Sequence, residues 1–164
     1  MSQSVSEIEL APVAAVITSL LQLLKGPASP AAHRWAQTSL AHACRHVEYF
    51  LVPRVSEAAH AKAVALGIAP LERYRWADQR SRMKDPGRKV FHWEHMVPVS
   101  DLQAELRKLQ TPDLPSVGAV LSKAQVAWIL KSENERLDKA KLRYGRANGG
   151  LAAYKQVGIR LRRR

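Results

Sequence analysis

Apolar residues recur at helical spacing near the start of the chain, at Val13, Val16, Ile17, Leu20, Leu21, Leu23 and Leu24. A 3.6-residue period places such positions on one broad stripe, so a helix is predicted. Gly26-Pro27 and Pro30 predict its end and the start of the next. That second helix is predicted from Ala31 to about Leu51, with Trp35, Leu40, Cys44, Val47 and Phe50 inward and Pro53 as its stop. An Ala-rich helix follows from Ser56 to Leu66, closed by Gly67, and a fourth begins near Pro70 with Leu71, Tyr74 and Trp76. At Asp85-Pro86-Gly87 a turn is expected. Beyond it, Lys89-Val90-Phe91-His92-Trp93 and Val126-Ala127-Trp128-Ile129-Leu130 have the β-branched and aromatic content of strands. A helical segment from Leu102 to Leu109 lies between them, followed by Pro112 and Pro115. After the second strand, Ser132 with Glu135 three residues on reads as a capping box and a helix start. Asn148-Gly149-Gly150 reads as a turn before a short helix over Leu151 to Ile159. No internal repeat is present.

The expected fold class is therefore α+β and mostly α. The expected division is a helical subdomain over 1–84, a strand–strand–helix unit over 85–145 and a basic C-terminal segment over 146–164. The apolar stretch from Ile8 to Leu24 contains Glu9 and Pro12 and has no basic residue before it. It reads as a buried helix rather than a signal peptide or membrane span, so a cytoplasmic protein without membrane association is expected.

Charge changes the picture. The 164 residues carry a formal net charge of +12. Residues 1–80 hold eight Lys/Arg against six Asp/Glu, and residues 81–164 hold eighteen against eight. Such an excess favours a polyanionic partner. Cys44 is the single cysteine, so an intrachain disulfide and a cysteine zinc cluster are both excluded. His42 and His46 stand four apart on the second helix, a spacing that can bind metal, but no zincin-type carboxylate accompanies them. A surface or interhelix role is favoured for that pair.

Candidate chemistry concentrates in Phe91-His92-Trp93-Glu94-His95-Met96-Val97-Pro98. Glu94 offers a hard oxygen ligand for a divalent cation, and His95 offers a base at neutral pH. Side chains alternate along a strand, so Val90, His92 and Glu94 share one face while Phe91, Trp93 and His95 share the other. Glu94 and His95 converge only if the strand ends or bulges there, and Pro98 makes early termination plausible.

Glu94-His95-Met96-Val97-Pro98, with a second strand and a helix bearing Asn134, resembles the HNH nucleases and their ββα-metal finger. The resemblance spans roughly residues 85–145. It implies that His95 activates water and that Glu94 and Asn134 hold a divalent cation, magnesium or another such as manganese. It implies a metal-dependent DNA endonuclease, with double-stranded DNA favoured and a homodimer left open. Two features depart from the family pattern. The stretch from Leu102 to Gln125 is long, and no Asn lies between His95 and Asn134. Asp101 or Asp113 could stand in for the missing residue.

The basic residues Arg88, Lys89, Lys131, Lys139, Lys141, Arg143, Arg146, Arg162, Arg163 and Arg164 are candidate phosphate contacts. Such contacts would position nucleic acid without reading its sequence. Ordinary roles stand beside these assignments. Glu94 could pair with Arg88, and His95 could bond a loop carbonyl. Asn134 could be a first-turn polar residue, with Glu133 or Asp138 as ligand instead. His92, Trp93 and Trp128 read as structural, and Tyr154 and Lys155 are undecided. The alternatives are an RNA-cleaving toxin on the same finger and a non-catalytic nucleic-acid-binding or partner-inhibiting protein.

Overall fold

A computed structural model describes residues 7–68, 70–146 and 148–163. Its described elements are α1 (Glu7–Lys25), α2 (Pro30–His46), β1 (Arg54–Val55), α3 (Glu57–Ala65), β2 (Phe91–His95), α4 (Val99–Lys108), α5 (Leu114–Leu121), β3 (Val126–Leu130), α6 (Lys131–Lys139) and α7 (Gly149–Gln156). The class is α+β and mostly helical, with one small sheet among the described residues.

The chain divides into two compact units, each assembled from two stretches. The first is all-helical and consists of residues up to Leu51 together with Val99–Ala124. In it α1 packs on α2 and α5, α2 on α4, and α4 on α5. Its core holds Ile17 and Leu21 from α1, Leu40 and Cys44 from α2, Leu106 from α4 and Leu121 from α5. Burial pushes the Cys44 thiol up to about 12, so it packs as a neutral apolar group. The buried line of α2 is Ala36, Leu40 and Cys44, at a spacing of four. Trp35 sits about 100° round the helix from that line and is exposed. Phe50 is also exposed, because α2 stops at His46 and a 3₁₀ turn over Val47–Phe50 redirects the chain. Both had been expected inside.

The second unit contains Val52–Pro98 and Gln125–Arg164. Its sheet has the order β1-β3-β2, with β1 parallel and β2 antiparallel to β3. Asp85 sets where β2 begins. Its carboxylate accepts the N–H groups of Lys89 (3.1 Å), Val90 (3.2 Å) and Phe91 (3.0 Å) and an amide N–H of Gln79 (2.8 Å). Those backbone donors are thereby taken, and the strand starts at Phe91 rather than Lys89. In place of the fourth expected helix there are 3₁₀ turns over Leu71–Arg73 and Trp76–Asp78. The Asp78 carboxylate accepts the Arg75 N–H at 2.8 Å, a local bond that competes with helix formation.

The boundaries therefore differ from 1–84, 85–145 and 146–164. Residues 52–84 belong with the sheet. The long segment between the strands is not a finger loop but α4 and α5, which belong to the helical unit. Asp113 caps α5 by accepting the Ser116 N–H at 2.8 Å, and Pro115 falls in its first turn, where its missing N–H costs nothing. The C-terminal segment is integral to its unit rather than an appendage. Ala153, Tyr154 and Ile159 join Met96, Ala127, Ile129 and Leu137 in one core. Leu161 bridges Ser56, and the Arg162 N–H donates to the Val55 carbonyl at 2.9 Å.

Helix α7 approaches the end of β2 through Gly150. A Cβ at Gly150 would lie inside the Met96 carbonyl oxygen and 2.8 Å from its carbonyl carbon. Gly150→Ala is expected to destabilise the protein by about 1–3 kcal/mol through overpacking. Gly118, inside α5, faces open space, and Gly118→Ala should be neutral or stabilise by up to about 1 kcal/mol. Urea melts of the two variants compare these outcomes directly, and equal midpoints would contradict the close approach.

Candidate active site

The pairing of β2 with β3 is regular to its end: Glu94 opposes Ala127, His95 opposes Val126, and the Met96 N–H donates to the Gln125 carbonyl at 2.8 Å. No bulge intervenes. Glu94 and His95 therefore project to opposite faces and do not converge. His95 shares its face with Trp93, whose ring meets Trp128 edge-on at 4.9 Å. Glu94 shares the other face with His92, above the core formed by α6 and α7.

Glu94 is 9% exposed, and both its oxygens are occupied. Oε2 accepts the Nε2–H of His92 at 3.1 Å, and Oε1 accepts Nη2–H of Arg146. A carboxylate can only accept, which fixes this direction. Arg146 also donates through Nη1 to the carbonyls of His95 and Met96 (3.0 Å each) and through Nε to Leu142 (2.7 Å). Its guanidinium thus fastens the end of β2 to the chain that follows α6. Burial by itself would push the Glu94 carboxyl upward. The hydrogen bonds from His92 and Arg146, with the charge of Arg146, outweigh burial and hold it below its ordinary value.

Tyr154 completes the cluster. Its ring lies 5.9 Å from the Arg146 guanidinium, and its hydroxyl is buried without a hydrogen-bond partner among the described residues. Burial first, then the charge of Glu94, raises the phenol well above its ordinary value, so it remains a neutral donor. Glu133 lies on the same side and organises the backbone. Its Oε2 accepts the Ser56 hydroxyl at 2.6 Å and the Leu130 N–H at 2.8 Å. Helix α6 accordingly starts at Lys131 with Leu130 as its cap, two residues earlier than Ser132 as cap would require, and Glu133 does the work expected of Glu135.

The expected ligand pair does not form one donor set. Asn134 sits half-buried on α6 and donates to Asp138 at 3.4 Å, while Glu94 is committed to two nitrogen donors. A divalent cation on Glu94 would have to displace His92 or stand beside the buried Arg146 charge. These residues as arranged do not fit a cation. Among the described residues, no group of three or more His, Cys, Asp or Glu side chains is placed to hold a metal ion.

The basic candidates separate by burial. Lys89, Lys131, Lys139, Lys141, Arg143 and Arg163 are exposed. Arg88 is half-buried with its guanidinium 3.7 Å from the centre of the Trp76 ring. Arg162 pairs with Glu72 at 3.2 Å. Arg146, expected on the surface against phosphate, is buried and held by Glu94 and three carbonyls, which corrects that assignment. Arg164 lies outside the described residues. The units also differ in charge. Val52–Pro98 and Gln125–Arg164 contain twenty Lys/Arg and eight Asp/Glu, whereas the helical unit contains six of each. The whole excess thus belongs to the unit with the sheet.

His92 and Arg146 are the site residues that sequence reasoning assigned otherwise. The i,i+2 spacing of His92 and Glu94 was the available signal, since it puts both on one strand face. Nothing in the sequence marked Arg146 as their partner fifty residues on. Comparison of the chain with protein-family models, curated proteins and solved structures gives no match. No described helix is long and apolar enough to cross a membrane.

Glu94 is a stronger acid in the folded protein than in the unfolded chain, so its contribution to stability depends on pH. Its folded-state value lies below the unfolded one, near 4.5, so its stabilisation is present above that pH. It should be lost as pH falls through the folded value. Thermal melts should show wild type losing stability below about pH 4.5, with Glu94→Gln less stable at neutral pH and flatter across the acid range. Arg146→Ala should cost about 3–5 kcal/mol in urea denaturation, because it leaves Glu94 buried with half its partners. A cost under 1 kcal/mol, as for a surface pair, would remove Arg146 from this structural role.

Proposed function

We propose that this protein is an endonuclease acting on DNA, built on an HNH-like strand–strand–helix unit, with His92 as the proton-accepting group. The observation carrying this reading is the chain Arg146–Glu94–His92, which runs from the buried core to a half-exposed imidazole. A carboxylate that accepts from Nε2–H fixes the ring and leaves Nδ1 as the acceptor nitrogen of the neutral imidazole. Nδ1 can then take a proton from an attacking hydroxyl. Antiparallel β2 and β3 followed directly by α6 give the strand order of the HNH resemblance. The unit also carries the whole positive excess, which suits a phosphodiester chain.

A divalent cation supplies Lewis-acid stabilisation in nucleases of this kind. Glu94 and Asn134 do not fit it as arranged. That same observation favours a second reading, RNA cleavage. There the 2′-hydroxyl is the nucleophile, and a positioned base with nearby cationic groups is sufficient. A binding-only protein is the outcome if neither nucleic acid is cut.

One assay separates these readings. The full chain is incubated with plasmid and with RNA, in magnesium or in EDTA, beside His92→Ala and His95→Ala. The expected result is nicked or linear plasmid; loss of cutting in EDTA would call for cation ligands other than Glu94 and Asn134 as arranged. His92→Ala should lose about 10²–10⁴ in rate, the usual contribution of a general base, while His95→Ala retains activity. Loss in His95→Ala alone would return the base to His95. RNA loss that survives EDTA would select the second reading. A gel shift without cleavage would end the nuclease reading, and a gel shift insensitive to salt would also remove the phosphate-binding role of the basic unit.

A further inference from the structure

A cavity of about 470 Å³ opens in the sheet unit, lined by Arg54, Leu151, Tyr154, Lys155, Gly158, Ile159, Arg160 and Leu161. We infer that it seats a single nucleotide unit, with the phosphate among Arg54, Lys155 and Arg160 and the base against the apolar wall. The identity of the ligand rests on the proposed action on nucleic acid; the cavity and its chemistry do not.

Three features point to this occupant. The lining contains three cationic side chains and no acidic one, so it favours an anion. Lys155 and Arg160 are exposed and form no ion pair among the described residues. The remaining wall is apolar and includes Leu151, which is 54% exposed overall and offers apolar surface for a planar base. Tyr154 also lines the cavity, its hydroxyl being closed off from solvent. The volume lies within the range of small-molecule pockets, about 300–1,000 Å³. Tyr154 also stacks beside Arg146, so the cavity adjoins the His92–Glu94–Arg146 chain within one unit. The nucleotide held here would be a neighbour of the scissile bond rather than the reacting one.

Calorimetry on the full chain tests this with adenosine monophosphate, adenosine and inorganic phosphate as probes. The monophosphate should bind, more tightly than phosphate alone, and the nucleoside should bind weakly or not at all. Lys155→Gln with Arg160→Gln should weaken monophosphate binding by about tenfold or more, as expected for losing charge-assisted contacts. Lys62→Gln, on α3, should leave it unchanged. Leu151→Asp should weaken the monophosphate while sparing phosphate, and circular dichroism checks that each variant is folded. No binding of the monophosphate, binding indifferent to the double variant, or phosphate binding equally tight would each overturn the nucleotide assignment. The readout needs no cleavage. Monophosphate binding in a protein that cuts neither plasmid nor RNA keeps this inference and removes the nuclease; cleavage without monophosphate binding does the reverse.

Discussion

The sheet unit is organised around one buried cation. Arg146 reaches from the loop after α6 to the end of β2, where it meets the Glu94 carboxylate and the carbonyls of His95 and Met96. A guanidinium has five donors in a planar fork, and an interior site is tolerable only if most are used. Here backbone carbonyls and a carboxylate use them, so the charge is compensated where water cannot reach. Three things depend on that arrangement. The last residues of β2 are held in register, the small backbone at Gly150 can lie against Met96, and Glu94 is fixed with one oxygen left for His92. A neutral side chain at 146 could fill the space but could not do all three.

The second organising fact is segregation of charge with fold. The helical unit is neutral by sequence and closes its core with apolar side chains from four helices. The sheet unit holds the entire excess of Lys and Arg. The chain leaves the sheet unit after Pro98 and returns at Gln125, and the intervening α4 and α5 complete the helical core. What resembles an overlong loop in a small finger is thus the second half of another folding unit. Its order comes from packing on α1 and α2.

Much of this was legible in the sequence where one residue type forced one geometry. The strand at Val126–Leu130, the Ala-rich helix after Ser56 and the α+β class follow from periodicity and caps that act over a few residues. The errors arose where a distant partner decided. Trp35 was assigned inward on apolarity, yet the line Ala36, Leu40 and Cys44 was the one that neighbouring helices covered. The start of β2 was set by Asp85 collecting backbone donors, and the start of α6 by Glu133 reaching both Leu130 and Ser56. β1 is two residues long and owes its existence to β3 and the returning C-terminus, so no local pattern announces it. At the site, alternation correctly separated Glu94 from His95. The identity of the group across from Glu94 could not be read, because Arg146 is remote in sequence and looks like any surface arginine in a basic chain.

The remaining tension concerns what a motif guarantees. Glu94-His95-Met96-Val97-Pro98 has the letters of an HNH strand, but letters specify a metal site only if the carboxylate is free to coordinate. Glu94 is held ionised by accepting hydrogen bonds from Arg146 and His92, and those bonds keep its carboxyl below the ordinary value. Each such bond also lowers its capacity to accept a cation, because the same lone pairs serve both and a neighbouring guanidinium opposes further positive charge. The two roles are thus alternatives rather than complements. The more firmly Arg146 holds the end of β2, the less Glu94 can act as a ligand and the better it orients His92. The chemistry of this face follows from that choice, with the imidazole, not the carboxylate, as the group presented outward.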